Sequence, residues 1–286
     1  MLARAHLATE LRSTGTGPPR TVVSRLRSQA PLVLRPTIPK CREPWAASRP
    51  QVPRVCLAAG AAGPLGGDQL ELEVEVGAGS ELVLTEVSPT LLLPGPHGEQ
   101  SRLTVRIRVA AAATLIWLPE PVIAARGCSH LSDVQVLLEP GARFLMREEL
   151  LLGRHGEQPG TVLQRVRVRL AGRPLYSQDL SVGTPGADTP AVLGGGRAVG
   201  SVLVVDPDFD AAFDAAGLAV HRLGEHAAVL PLAGPAAVVT AVAADNLALR
   251  GHLDDGLAAL GPPWSAPSSQ RTGKHTTPDT THQEAR

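Results

Sequence analysis

A chain of 286 residues is long enough to bury a sizeable core, hiding roughly 75% of its unfolded surface, either as one large β unit or as two small ones. Its 27 Lys+Arg balance 27 Asp+Glu, so no long-range field draws it to nucleic acid or anionic lipid, and 2% aromatic residues leave few platforms for stacking bases. The three cysteines, Cys41, Cys56 and Cys128, form no CxxC, which argues against a disulfide framework or zinc module and fits a reducing cytoplasm.

In chain order, Met1 to Leu11 mixes Arg4, His6 and Glu10 with apolar residues and does not read as a secretory signal. Thr21-Val22-Val23 predicts an early strand, and the Pro- and Arg-rich span Thr37 to Pro53 is expected to be unstructured. Gly66-Gly67-Asp68 then precedes a strand in which Leu70, Leu72, Val74 and Val76 alternate with Glu71, Glu73 and Glu75. On its own, that tripeptide reads as an ordinary turn whose aspartate bonds freed amides. The same period of two recurs over Arg102 to Val109 and Arg165 to Leu170, giving half-buried strands with one apolar and one charged face.

A loose repeat runs through the middle third. Gly79-Ser80-Glu81-Leu82-Val83-Leu84 returns as Ala112-Ala113-Thr114-Leu115-Ile116-Trp117 and as Gly141-Ala142-Arg143-Phe144-Leu145-Met146, with Leu82, Leu115 and Phe144 spaced by 33 and 29 residues. A small-residue turn followed by an apolar strand every ~30 residues suits a stacked solenoid, and a β-sandwich with regular turns equally well.

Three segments in this region could carry chemistry. In Trp117-Leu118-Pro119-Glu120-Pro121, two prolines hold Glu120 at a rigid strand exit, as a ligand, a partner contact or a solvated carboxylate. Cys128 and His130 share a strand face and could meet one borderline ion, or be a buried thiol beside an unrelated imidazole. In Arg147-Glu148-Glu149-Leu150 to Arg154, alternation sends Glu148 and Glu149 to opposite faces, so one points inward, with Arg154 placed as a bidentate clamp.

Toward the end, Gly183 to Gly200 reads as a mobile Gly/Pro/Ala loop, and Asp206-Pro207 opens a short helix through Phe209, Phe213 and Ala216 to Gly217. Ala227 to Ala244 lacks charge but is broken by Pro231, Gly234 and Pro235, so two buried strands around a turn are expected in place of a membrane span. A second helix opens near Asp245 with Leu249, Leu253, Leu257 and Leu260 on one stripe; Gly251 and Gly256 within it cost about 1 kcal/mol each relative to Ala. Gly261 to Arg286 reads as a disordered polar tail. No P-loop, GxSxG elbow or HExxH helix occurs.

Taken in order, these segments resemble the UreD/UreH family of urease accessory proteins. The resemblance rests on Thr21-Val22-Val23 with Leu26 to Leu32, on Gly60 to Asp68, on Trp117 to Pro121, on Glu148 to Arg154 and on the helix of Asp245 to Leu260. Leu91-Leu92-Leu93-Pro94-Gly95-Pro96 departs from the polar-aromatic segment of many members and is similar to a high-GC bacterial branch.

The resemblance implies one UreD-like β domain over 1–260, with the loop at 183–200, followed by the tail 261–286. It implies an all-β fold, a β-helix-like, solenoid-like stack with about two helices in the C-terminal third. It also implies a non-enzymatic cytoplasmic chaperone of nickel insertion. Such a scaffold binds a second accessory protein of UreF type, which recruits a GTPase of UreG type, and the assembly docks on apo-urease, with no nucleic acid or membrane partner. Nickel would bind weakly and transiently. By the same resemblance Asp68 and Glu148 are candidates to line its passage, with Cys128 and His130 as weaker metal candidates. The competing readings are a generic β-solenoid interaction module without a metal role and a hydrolase on a β fold.

Overall fold

The computed structural model describes residues 1–13, 15, 17–38, 52–184, 186, 189, 192–209 and 220–264. The chain enters through β1 (Leu2–Arg12), β2 (Arg20–Arg27), β3 (Leu32–Thr37) and β4 (Arg54–Ala59). Its middle comprises β5 (Gln69–Val76), β6 (Glu81–Glu86), β7 (Thr90–Leu92), β8 (Ser101–Val109), β9 (Thr114–Leu118), β10 (Val122–Ala124), β11 (Ser129–Leu138), β12 (Arg143–Leu151) and β13 (Thr161–Leu170). Then follow β14 (Arg173–Val182), β15 (Ala198–Val205), β16 (His221–Arg222), β17 (Ala227–Pro231), β18 (Ala236–Ala243) and the helix α1 (Asn246–Leu260).

The middle third is a coil wound three times. β5, β8, β11 and β13 stack in parallel in one sheet, and β6, β9 and β12 stack in parallel in the other. The short strands β7 and β10 form a narrow third side, pairing with each other and, through β10, with β12. Parallel neighbours require a crossover between them, and here each crossover is a strand of the opposite sheet. The repeat seen in the sequence is the register itself: Leu82 lies opposite Leu115, and Leu115 opposite Phe144. In the facing sheet Leu72, Val105, Val134 and Val166 form the matching row. The solenoid reading therefore holds over the sandwich. β1 and β4 continue the parallel stacks at one end, and antiparallel strands beyond them and at the other end complete seven- and eleven-stranded sheets.

Period two decides what each face meets. The inward rows, including Leu72, Val74, Val105, Ile107, Leu115, Phe144, Val134 and Val136, fill the space between the sheets at 2% exposure or less. The outer face of the seven-stranded sheet carries the charges of the alternating strands, with Arg4 bonded to Glu71 at 2.9 Å and Arg167 to Asp179 at 2.5 Å. The outer face of the other sheet is apolar and is covered by α1 and by Trp264.

Helix α1 begins where the Asp245 side chain accepts the Ala248 N–H at 2.9 Å, and it buries Leu249, Leu253 and Leu257. Ala227 to Ala244 forms the antiparallel pair β17–β18, and no helix among the described residues is long and apolar enough to cross a membrane.

Three boundaries differ from expectation. β15 starts at Ala198, inside the span read as a mobile loop, and Leu193 is already buried there, because this segment supplies a partner for β12. The tail is anchored as far as Trp264, which is 1% exposed with its indole N–H on Asp206 Oδ2 at 2.8 Å. Asp206 accepts the Asp208 N–H at 3.1 Å, as a cap would, but the rest of the expected first helix falls in 210–219, outside the described residues. Residues 39–51, with Cys41, and 265–286 also lie outside them.

Candidate functional site

At one end of the coil the inward rows change from apolar to polar. In the seven-stranded sheet, Asp68, Ser101 and His130 continue the rows of β5, β8 and β11 at the strand starts. In the facing sheet, Glu86 and Glu148 stand two residues beyond Leu84 and Met146, which sit in register with Trp117. Strand starts in one sheet meet strand ends in the other because the coil reverses direction between sheets, so the polar residues gather at a single end beneath β7 and β10.

A narrow cavity lies there, lined among others by Glu86, Trp117, Glu120, His130, Glu148 and Glu149, with about 70 Å³ open to the centre of a water-sized molecule. That is room for a few waters at ~10–15 Å³ each.

Glu148 faces inward as alternation predicts, and burial pushes its pKa up to about 7. Glu86 is held higher, at about 8, chiefly by burial, against the hydrogen bond that it accepts from the Glu120 N–H at 3.2 Å. Burial pushes His130 the other way, down to about 4, and its Nδ1 lies 2.8 Å from Ser101 Oγ. The Tyr176 hydroxyl is raised by burial and by the charge of Glu148, which sets it near that carboxyl. The arrangement offers one acid, Glu86, that keeps most of its proton at neutral pH, a second, Glu148, that titrates there, and an imidazole that is neutral. It is a set of separate oxygen and nitrogen donors around one cavity, with carboxyls whose charge changes near neutral pH.

Glu149 turns to the opposite face and is also sealed off. Its carboxylate accepts from Arg250 Nε at 3.0 and 2.9 Å, and Arg147 Nε lies 2.8 Å away as an ion pair without hydrogen-bond alignment. Arg250, on α1, also reaches Glu120 at 2.5 Å, so Glu120 is a partnered rim residue and not a solvated loop carboxylate.

The expected clamp, Arg154, grips a different carboxylate. Gly153, at φ 79°, turns the chain away, and Arg154 binds Glu157 bidentately at 2.9 and 2.8 Å, holding the Glu157 pKa down at about 2. Arg197 closes the same turn by donating to the carbonyls of Leu152, Glu157 and Arg154 at 2.6, 2.6 and 3.3 Å.

Asp68 is buried at the cavity's edge but is not one of its lining residues. One carboxylate oxygen accepts the Met1 amino group at 2.7 Å, and the other the Leu65 N–H at 2.9 Å. The two preceding glycines serve different needs: a Cβ on Gly66 would stand 2.4 Å from the Gly95 nitrogen, where two backbone turns cross, whereas Gly67 takes a left-handed φ of 88°. Cys128 and His130 part company. His130 lines the cavity, whereas Cys128 packs in a separate apolar cluster with Leu92 and Leu150, its thiol pushed up to about 11 by burial.

Sequence reasoning missed Glu86, which the parity of Leu82 and Leu84 could have placed inside. It also missed Arg250, for which no local signal exists. Among the described residues, no group of three or more His, Cys, Asp or Glu stands ready as a closed metal site.

The family described as UreD urease accessory protein matches residues 3–273 of this chain. A urease accessory protein UreD of Streptomyces avermitilis is 41% identical over 251 residues, covering 86% of this chain and 94% of the relative. A urease accessory protein UreD 3 of Streptomyces griseus is 43% identical over 256 residues, covering 87% and 95%. A urease accessory protein UreD of Frankia alni is 40% identical over 277 residues, covering 87% and 91%.

Proposed function

Since the chain belongs to the UreD family of urease accessory proteins, we propose that it serves urease maturation in the cytoplasm as a scaffold through which nickel reaches apo-urease. On this reading it carries out no turnover of its own. It binds a second accessory protein of UreF type, and through it a GTPase of UreG type. Nickel is cargo and not a resident cofactor.

The observation that carries the reading is the polar end of the coil. Acids largely shut off from water are costly unless they are paired, bonded or used. Glu148 has no hydrogen bond or ion pair among the described contacts, and it faces a cavity that holds a second acid and an imidazole. Oxygen and imidazole donors without a closed ligand set hold nickel loosely, as a carrier requires. Glu148, with Glu86 and His130, forms the transient coordination path. Asp68 holds the Gly66–Gly67 turn at its edge.

The test is a host strain lacking this gene, assayed for urease activity and for nickel bound to urease. Loss of both in the deletion strain, restored by the wild-type gene and only weakly by Glu148→Gln, is the expected result. Full activity with normal nickel loading in the deletion strain overturns the scaffold reading. Full restoration by Glu148→Gln overturns the route through the cavity and leaves a β-solenoid interaction module without a metal role.

A further inference from the structure

Away from the cavity, on the helix-covered face of the eleven-stranded sheet, two histidines distant in sequence share one concavity. His226 immediately precedes β17, and its carbonyl accepts the Val242 N–H at 2.9 Å, which fixes its backbone to β18. His252 lies on α1 between Leu249 and Leu253, both fully buried, so its position is set by the docked helix. The two ring centroids are 6.3 Å apart and the rings are tilted by 48°. They line an open pocket with Glu225 and Ala248, walled on another side by Gly194-Gly195-Gly196, which adds no side chain; about 510 Å³ is open to water-sized molecules.

We propose that His226 and His252 form a surface binding site for a borderline divalent transition ion, such as nickel or zinc, that clasps α1 to the start of β17. An ion about 2.1 Å from one nitrogen on each ring places the centroids roughly 4.5 to 6.4 Å apart, depending on the angle at the metal. The observed separation lies within that span, at its wide-angle end, and side-chain rotation of the exposed His226 gives access to the narrower angles. Imidazole donors select nickel, copper and zinc over magnesium and calcium. Because no third His, Cys, Asp or Glu completes a ready set among the described residues, the remaining positions go to water, and the bound ion exchanges readily. The choice of nickel as probe rests on the proposed function; the site itself rests on the two rings.

Nickel is titrated into the full chain carrying His275→Ala and His282→Ala, so that those two histidines do not contribute, with selectively labelled histidine followed by NMR. Paramagnetic broadening of His226 and His252 at the lowest nickel additions is expected. So is a rise in Tm with nickel, absent with magnesium and lost in His226→Gln/His252→Gln together with one bound equivalent. Variants that fold, by circular dichroism, yet keep the same nickel stoichiometry overturn the site while leaving urease maturation untouched. A parent chain that binds no nickel at all overturns the site and the nickel-carrying part of the proposed function together.

Discussion

Glu86 and His130 face the same cavity and titrate in opposite senses. Burial lifts Glu86 from 4.5 to about 8, so between those values the folded chain holds a proton that the unfolded chain has released. Its contribution to stability is therefore full at low pH and falls as pH rises through that window. Urea unfolding at its two ends should show a smaller loss of stability with rising pH in Glu86→Gln than in the parent. His130, lowered from 6.5 to about 4, does the reverse, and its neutral form favours folding more as pH rises between those values.

Arg197→Ala should destabilise by about 1 kcal/mol, because it removes a charged donor from the part-buried Leu152 carbonyl, whereas water can reach the exposed Glu157 carbonyl. Denaturant midpoints at constant slope would measure it. Residue roles were legible where parity rules. Glu148 followed from alternation along β12, and Glu86 obeys the same rule at the end of β6. Arg250 and Arg197 were not legible, since the partners of Arg250 lie 101 and 130 residues away and those of Arg197 up to 45, and only the folded coil joins them.

Helix α1 shows why composition alone misjudges an element. Both of its glycines were expected to be penalties, yet they differ. A Cβ on Gly251 would meet nothing within 4 Å, whereas one on Gly256 would come within 2.2 Å of Val239. Gly251→Ala should therefore stabilise by about 1 kcal/mol through propensity. Gly256→Ala should destabilise by about 1–3 kcal/mol through overpacking against β18. Equal midpoint shifts in thermal melts of the two variants would contradict this account.

Trp264 anchors the segment after the helix, and Trp264→Ala should cost about 3–5 kcal/mol, read from the same melts. The helix itself was legible from its leucine stripe and Asp245 cap. Its anchor was not, because a single tryptophan among Pro, Ser and Thr carries no periodic signal.

For the whole molecule, the repeat spacing of 33 and 29 residues was the strongest sequence signal, and it survives as strand register. What spacing could not decide was sandwich against coil, because both bury alternate residues. Parallel pairing with the third side of β7 and β10 decides it. That third side roofs the one end where the inward rows turn polar.

Arg250 gives this roofed end a further property. A single guanidinium, carried on a helix that packs by one apolar stripe, is the counter-ion shared by Glu120 and Glu149 beside the cavity. Any partner that draws α1 outward would bare the Glu120 charge at the doorway and leave Glu149 to Arg147 alone. Any partner that presses it home would keep both acids paired. On the proposed reading, the hold of this end on a passing cation is thereby tied to what bears on α1.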